Sequence, residues 1–212
     1  MRVVIIGAGA LICCAAYYAW TQNQGGESDQ SPDLTDYVAQ AADAADGYMN
    51  GEGDTMNQAA FLRAIRVGEG ADDEGGYNRK CGGGQFDGYS VHPALAGWHG
   101  WPMPDALCDS AGVKRGSVST AAGAYQINLP TWTRVSEKLG LNDFSPASQD
   151  AAALQLISEK GAAADVAAGR TASAVYKIRK IWASLPGAGY GQRQVSQAAF
   201  DNSYQNAGGV IA

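Results

Sequence analysis

The sequence predicts an α+β protein: a mainly helical domain with a long irregular or hairpin-bearing insertion, preceded by an N-terminal membrane helix. Three observations lead there. Apolar residues recur at helical spacing from Phe61 to Trp182, with starts and stops where helices need them. Between Gly70 and Gly123 that pattern yields to glycine, proline and aromatic residues, leaving room only for short extended pieces. Near the amino terminus, Val3 to Trp20 runs for eighteen residues without a charge.

That first segment, 1–20, is read as a transmembrane or signal-anchor helix. Eighteen residues at ~1.5 Å rise reach ~27 Å, close to a bilayer core. Arg2 before it and acids after it place the amino terminus in the cytoplasm and export the rest. A cleaved signal peptide is the alternative, weakened by the bulky Tyr17-Tyr18-Ala19-Trp20. Residues 21–59 read as an acidic flexible linker. Residues 21–60 hold eight acids and no Lys or Arg, with Gly25-Gly26, Ser31-Pro32 and Gly51-Glu52-Gly53 as breaks.

The folded domain spans 60–193. Phe61, Leu62 and Ile65 share one helical face. Asn128 or Leu129 before Pro130 starts a second helix carrying Trp132, Val135 and Leu139. Ser145-Pro146 caps a third, which runs through Leu154 and Ile157 and stops at Gly161. Thr171 opens another, with Val175, Ile178, Ile181 and Trp182, ended by Pro186-Gly187. Residues 194–212 are assigned to a C-terminal helix or tail.

Composition narrows the class. The chain has 212 residues, 15 basic against 21 acidic, and a formal charge of −6. With 46% apolar and 17% charged residues it is neither wholly disordered nor polytopic. The acidity argues against a nucleic-acid partner, which would require a basic face. It is also unevenly placed: Arg2 contributes one positive charge, residues 21–60 eight negative, and the remainder a net positive charge of one. The domain is therefore nearly neutral.

Glu69 is the most informative carboxylate. Phe61, Ile65 and Glu69 lie at i, i+4 and i+8, so the acid extends an apolar stripe at a helix end. Apolar surroundings disfavour its charged form, which raises its pKa towards the value a general acid needs. The alternative is a helix-end glutamate facing solvent before Gly70. Asp72, Asp73 and Glu74 read as a solvated loop. The small-residue run Ser119 to Ala124 ends in Tyr125-Gln126, and Pro186 to Gly191 ends in Gln192 after Tyr190; small residues followed by a ring and an amide suit sugar binding.

Taken together, these residues resemble the lambda-phage endolysin family, lytic transglycosylases of glycoside hydrolase family 104. The resemblance rests on Gly68-Glu69-Gly70, Gly83-Gly84, Tyr89-Ser90, His92-Pro93, the run Ser119 to Gln126, Asp143-Phe144-Ser145-Pro146, Ser148-Gln149-Asp150 and the run Ile181 to Gln192. It covers about Ala60 to Gln192, in the family's order. It implies a lysozyme-like fold with Glu69 as the single catalytic glutamate. Tyr125, Gln126 and Tyr190 become substrate contacts, and His92 a hydrogen-bonded structural residue. The implied reaction cuts the MurNAc–GlcNAc β-1,4 bond with a 1,6-anhydro product, for host-cell lysis or for wall penetration during infection. No metal or other cofactor is implied. The partners are peptidoglycan glycan strands, and the inner or virion membrane through residues 3–20, with the catalytic domain in the host periplasm. A non-catalytic peptidoglycan-binding protein and a hydrolytic muramidase remain alternatives.

Two departures stand out. Where a family member has Gly-Tyr-Asp, this chain has Gly76-Tyr77-Asn78, so Asn78 is expected to touch substrate but not to act as a base. Ala94 to Val118 is longer by about fourteen residues, and with Trp98, Trp101 and Cys108 it is expected to enlarge a lip over the groove. Cys13 and Cys14 lie in the apolar segment, and Cys81 and Cys108 in the insertion. In an exported domain Cys81 and Cys108 can form a disulfide closing a loop of about 28 residues, worth roughly 3–4 kcal/mol. The alternative uses all four: as in some signal-anchor-release endolysins, an anchor cysteine enters the periplasm and rearranges an inhibitory disulfide.

Overall fold

The structure is a computed structural model that describes residues 52–212, with side chains from Thr55 onward. The expected membrane segment, most of the expected linker, Cys13 and Cys14 lie outside the described residues. Among the described residues no helix is long and apolar enough to cross a membrane.

The first helix, α1 (Glu52–Glu69), is longer than the sequence implied. Residues 52–59, read as the end of the linker, form its first two turns. The reason lies in its far contacts. The Asn57 side chain donates to Ala167 O at 2.8 Å and accepts from Val210 N at 3.0 Å, tying the helix start to two distant segments. Ala60, Phe61, Leu62, Ala64 and Ile65 are buried, so α1 forms the spine of the main core.

Next comes the insertion. A single 3-10 turn (Gly76–Asn78) leads to the strands β1 (Trp101–Pro102) and β2 (Val118–Ser119), which enclose helix α2 (Asp105–Ala111). The strands are antiparallel, with Trp101 opposite Ser119 and Pro102 opposite Val118. Met103, Leu107, Cys108, Cys81 and Ala121 form a small second core, with Trp98 and Trp101 against it. The Trp101 ring rests on Gly82, whose φ is +79°; a Cβ there would come within 1.9 Å of the ring. Trp101 is thus a packing residue.

The remaining helices follow the caps read from sequence. In α3 (Leu129–Leu139) the Asn128 side chain accepts from Thr131 N. In α4 (Pro146–Glu159) Ser145 accepts from Ser148 N. A short α5 (Ala163–Ala167) precedes α6 (Thr171–Ile178). Here the expected helix through Trp182 ends early, because the Trp182 indole donates to Tyr125 O at 3.0 Å. Ile181 N bonding Ile178 O at 2.7 Å and Leu185 N bonding Trp182 O at 3.2 Å turn the chain out of helix. Ile181, Trp182 and Leu185 stay buried all the same.

The C-terminal stretch forms α7 (Gln197–Asn206), capped by Ser196, and it is integral to the core. Phe200 and Tyr204 meet Phe61 edge-on at 5.0 and 6.4 Å between ring centroids. The last residues fold back over Tyr204, whose hydroxyl donates to Val210 O at 3.2 Å. Phe200 and Tyr204 are three and seven residues beyond the start of α7, the spacing of one helical face.

His92 is structural. It is fully buried, accepts from Ala94 N at 3.3 Å, pairs through Nε2 with Ile127 O at 3.0 Å, and packs edge-on against Phe144. Burial lowers its pKa from 6.5 to about 4. The unfolded chain therefore takes up a proton near pH 6.5 that the folded chain refuses, and stability falls between pH 6.5 and 4. The His92 contribution to that fall is expected to be about 3 kcal/mol. Denaturation curves of wild type and His92→Gln should diverge over this window, with the wild type losing more. Parallel curves would show that His92 does not contribute to this pH dependence.

Candidate active site

Glu69 is the last residue of α1, and the helix stops there because Gly70 turns left-handed at φ +68°. The Gly70 N–H bonds Val67 O at 3.1 Å and the Ala71 N–H bonds Arg66 O at 2.8 Å, closing the helix end. The Glu69 side chain is fully buried. It accepts at Oε1 from the Ser184 hydroxyl at 2.6 Å. Ser184 comes from the run between Trp182 and Pro186, about 115 residues away in sequence. Gly68 lets it approach: a Cβ at that position would lie 3.2 Å from Ser184 Oγ.

The three acids after Glu69 are exposed, and two of them are ion-paired. Asp72 accepts from Arg63 Nε at 2.9 Å and pairs with Arg66 Nη2 at 3.5 Å. Asp73 pairs with Arg79, whose other guanidinium nitrogen donates to Gly70 O. These bridges fasten the loop to the outer side of α1 and to its capping residue.

Behind the helix end lies a buried polar network that sequence reasoning missed. Asp150 Oδ1 accepts from Tyr77 at 2.8 Å and from Tyr125 at 2.5 Å. Arg66 donates to the Tyr125 hydroxyl at 3.1 Å and lies 5.5 Å over the Tyr77 ring. Burial works against the Arg66 charge, but Tyr125, Tyr77 and Asp150 outweigh it and raise its pKa. Burial raises Asp150, opposed by Arg66 and the two phenols. Burial, then the charge on Asp150, pushes the Tyr125 phenol well above its ordinary range. Next to this network the buried Gln149 amide accepts from Ala124 N at 2.9 Å and donates to Tyr77 O and Phe144 O at 3.0 and 2.8 Å. Gly123 has to be glycine, since a Cβ there would come within 2.1 Å of the Gln149 oxygen.

Residues 59–211 match the family model described as Endolysin, which extends past the expected limit of Gln192 and takes in α7. The endolysin of Escherichia phage P2 is 42% identical over 167 residues, covering 74% of this chain and 96% of that protein. The chain belongs to the Endolysin family. The endolysin of Escherichia phage lambda is 37% identical over 158 residues, covering 72% of this chain and 91% of that protein. Among solved structures, bacteriophage lambda lysozyme complexed with a chitohexasaccharide superposes with a TM-score of 0.63 at 34% identity. That match covers 77% of this chain and 99% of the lambda chain. A second structure of bacteriophage lambda lysozyme gives a TM-score of 0.62 over 74% of this chain. The fold is therefore lambda lysozyme-like, mainly helical with a small sheet.

Within this endolysin fold the expected contact residues part company. Tyr125 is fully buried with its phenol turned inward onto Asp150 and Arg66, so it braces the site from behind instead of offering a ring to sugar. Gln126 is different. It is fully buried, holds φ +46° although it is not glycine, and donates to Gly123 O at 2.8 Å. Its Oε1 has no hydrogen-bond partner among the described residues. A strained residue with a buried unmatched acceptor is the kind of feature that binding sites retain. Asn78 spends both ends of its amide internally, donating to Phe86 O at 3.3 Å and accepting from Tyr89 at 2.8 Å. An aspartate could not make the first of these bonds. Tyr190 is half-buried in the glycine-rich loop, with its hydroxyl on Lys180 O at 3.1 Å.

The insertion does reach that loop. A Cβ on Gly191 would stand 3.1 Å from Ser110 Cβ, so α2 touches the segment carrying Tyr190. The expected Cys81–Cys108 disulfide is not formed. Cys108 is a buried free thiol directed at Met103 O at 3.7 Å, whereas Cys81 is disulfide-bonded. Cys108 packs in the small cluster with Met103, Leu107 and Ala121.

Tyr125→Phe separates bracing from sugar contact. Loss of its hydroxyl is expected to cost about 1–3 kcal/mol of stability with KM changed little. A large rise in KM at unchanged stability would return Tyr125 to the substrate wall.

Proposed function

We propose that this chain is a phage peptidoglycan-cleaving lytic transglycosylase, with Glu69 as its single acid and base. The observation that carries the reading is one fully buried carboxylate at a helix end that accepts from a neutral hydroxyl, while Asp72 and Asp73 beside it are paired with arginines. Full burial and the negative pole of α1 both work against charge at that position, which suits a proton donor.

Hydrolysis of a glycosidic bond ordinarily uses two carboxylates at a set separation. The two nearest in sequence are engaged: Asp72 by Arg63 and Arg66, Asp73 by Arg79. Asp150 is enclosed by two phenols. This favours a reaction in which the substrate supplies its own nucleophile. Glu69 gives its proton to the oxygen bridging N-acetylmuramic acid and N-acetylglucosamine, and the glycosidic bond breaks. The resulting carboxylate takes the proton of the muramoyl C6 hydroxyl as that oxygen bonds to C1, closing the 1,6-anhydro ring. The proton count returns to its start.

Gln126 is assigned to substrate through its unmatched amide oxygen, and Tyr190 through its ring beside the insertion. The hexasaccharide complex of the lambda lysozyme supports a glycan-binding groove in this fold. Residues 3–20 are assigned as the membrane anchor on their uncharged length, with the domain in the host periplasm or at a virion membrane. Export without cleavage favours host lysis over wall penetration.

The test is Glu69→Gln, assayed on purified cell walls beside a thermal melt. The variant is expected to keep its melting midpoint and lose about 10²–10⁴-fold in rate. Near-normal cleavage would end the proposal.

A further inference from the structure

The mechanism needs more than a glutamate. Its proton must sit on one defined oxygen, and the carboxylate left behind must be stabilised without water. We propose that Ser184 is the positioning residue that meets both needs. This rests on Glu69 being the proton donor.

The Ser184 hydroxyl donates to Glu69 Oε1 at 2.6 Å, and both side chains are essentially buried. An oxygen that accepts a hydrogen bond from a hydroxyl acts as the carbonyl oxygen of the neutral acid. Ser184 therefore directs the acidic proton to Oε2. Once the proton has left, the same hydroxyl donates to a full negative charge, and that bond strengthens. The contribution grows along the reaction, as a rate-enhancing interaction must.

The hydroxyl is held in place beforehand. Two residues earlier, the Trp182 indole is fixed on Tyr125 O at 3.0 Å. The Ser184 carbonyl accepts from Val195 N at 2.8 Å, and Leu185 N bonds Trp182 O at 3.2 Å. On the opposing side Gly68 offers no side chain to push the serine away from the helix end. Through Tyr125 the segment also joins the Asp150–Arg66 network, so the serine is placed by the same buried frame that braces α1.

Ser184→Ala removes one oxygen and leaves the backbone bond to Val195 in place. In this variant the carboxylate loses a donor, so the acid holds its proton more tightly. The alkaline limb of kcat against pH, where the acid becomes deprotonated, is expected to move up by about one unit. At the optimum kcat should fall by about 10- to 100-fold, with KM within about twofold of wild type. Ser184→Cys, with only a weak S–H donor of similar size, should move the limb the same way and serves if the alanine protein is insoluble. An unmoved limb in a folded variant overturns the role of Ser184, whatever the rate. An active Glu69→Gln protein would instead overturn the enzymatic reading itself, so the two failures are distinguishable.

Discussion

A helix that carries a carboxylate into a protein interior has to stop at that carboxylate and be held there from the side. In this chain α1 stops because Gly70 can turn left-handed, and it is held because Ser184 reaches the Glu69 oxygen from a distant segment. The other features of the site follow from this junction. Gly68 clears the space for the serine, Arg79 fastens the capping carbonyl, and Arg66 fixes the last turn of α1 to Tyr125. The spine is anchored at its other end by Asn57 and the α7 aromatics, so displacement of Glu69 would have to move most of the core.

Much of this was legible in sequence, and the misses have physical causes. The stripe Phe61, Ile65, Glu69 gave the helix face and its acid, because period and burial agree there. The caps Asn128 and Ser145 marked two helix starts correctly, because capping is a local interaction. The helix from Thr171 was drawn too long, since nothing local says that the Trp182 indole bonds a carbonyl 57 residues away. The acidic Glu52 and Asp54 read as linker, yet they begin α1, because tertiary contacts from Asn57 onward override weak local preference.

At the site, sequence supplied the residue types but not their directions. Tyr125 and Gln126 are neighbours in one motif, and the fold gives them opposite roles. One hydroxyl is committed to a buried aspartate, while the other residue keeps an unmatched amide oxygen. Ser184 and Asp150 lay inside the motifs already noticed, but only packing reveals that one touches Glu69 and the other supports its neighbour. The cysteines make the same point. Spacing made Cys81 and Cys108 plausible partners, and they do share one small apolar cluster, yet Cys108 keeps its thiol.

In the proposed mechanism a single carboxylate works with the substrate's own hydroxyl, so that water takes no part in the cleavage. The engagement of Asp72 and Asp73 by arginines and of Asp150 by two phenols favours this. The most direct measurement is mass analysis of the glycan ends released by the wild-type protein in oxygen-18 water. The proposed mechanism predicts 1,6-anhydromuramoyl ends free of the heavy isotope. Reducing ends that carry oxygen-18 would contradict it and return the fold to ordinary hydrolysis.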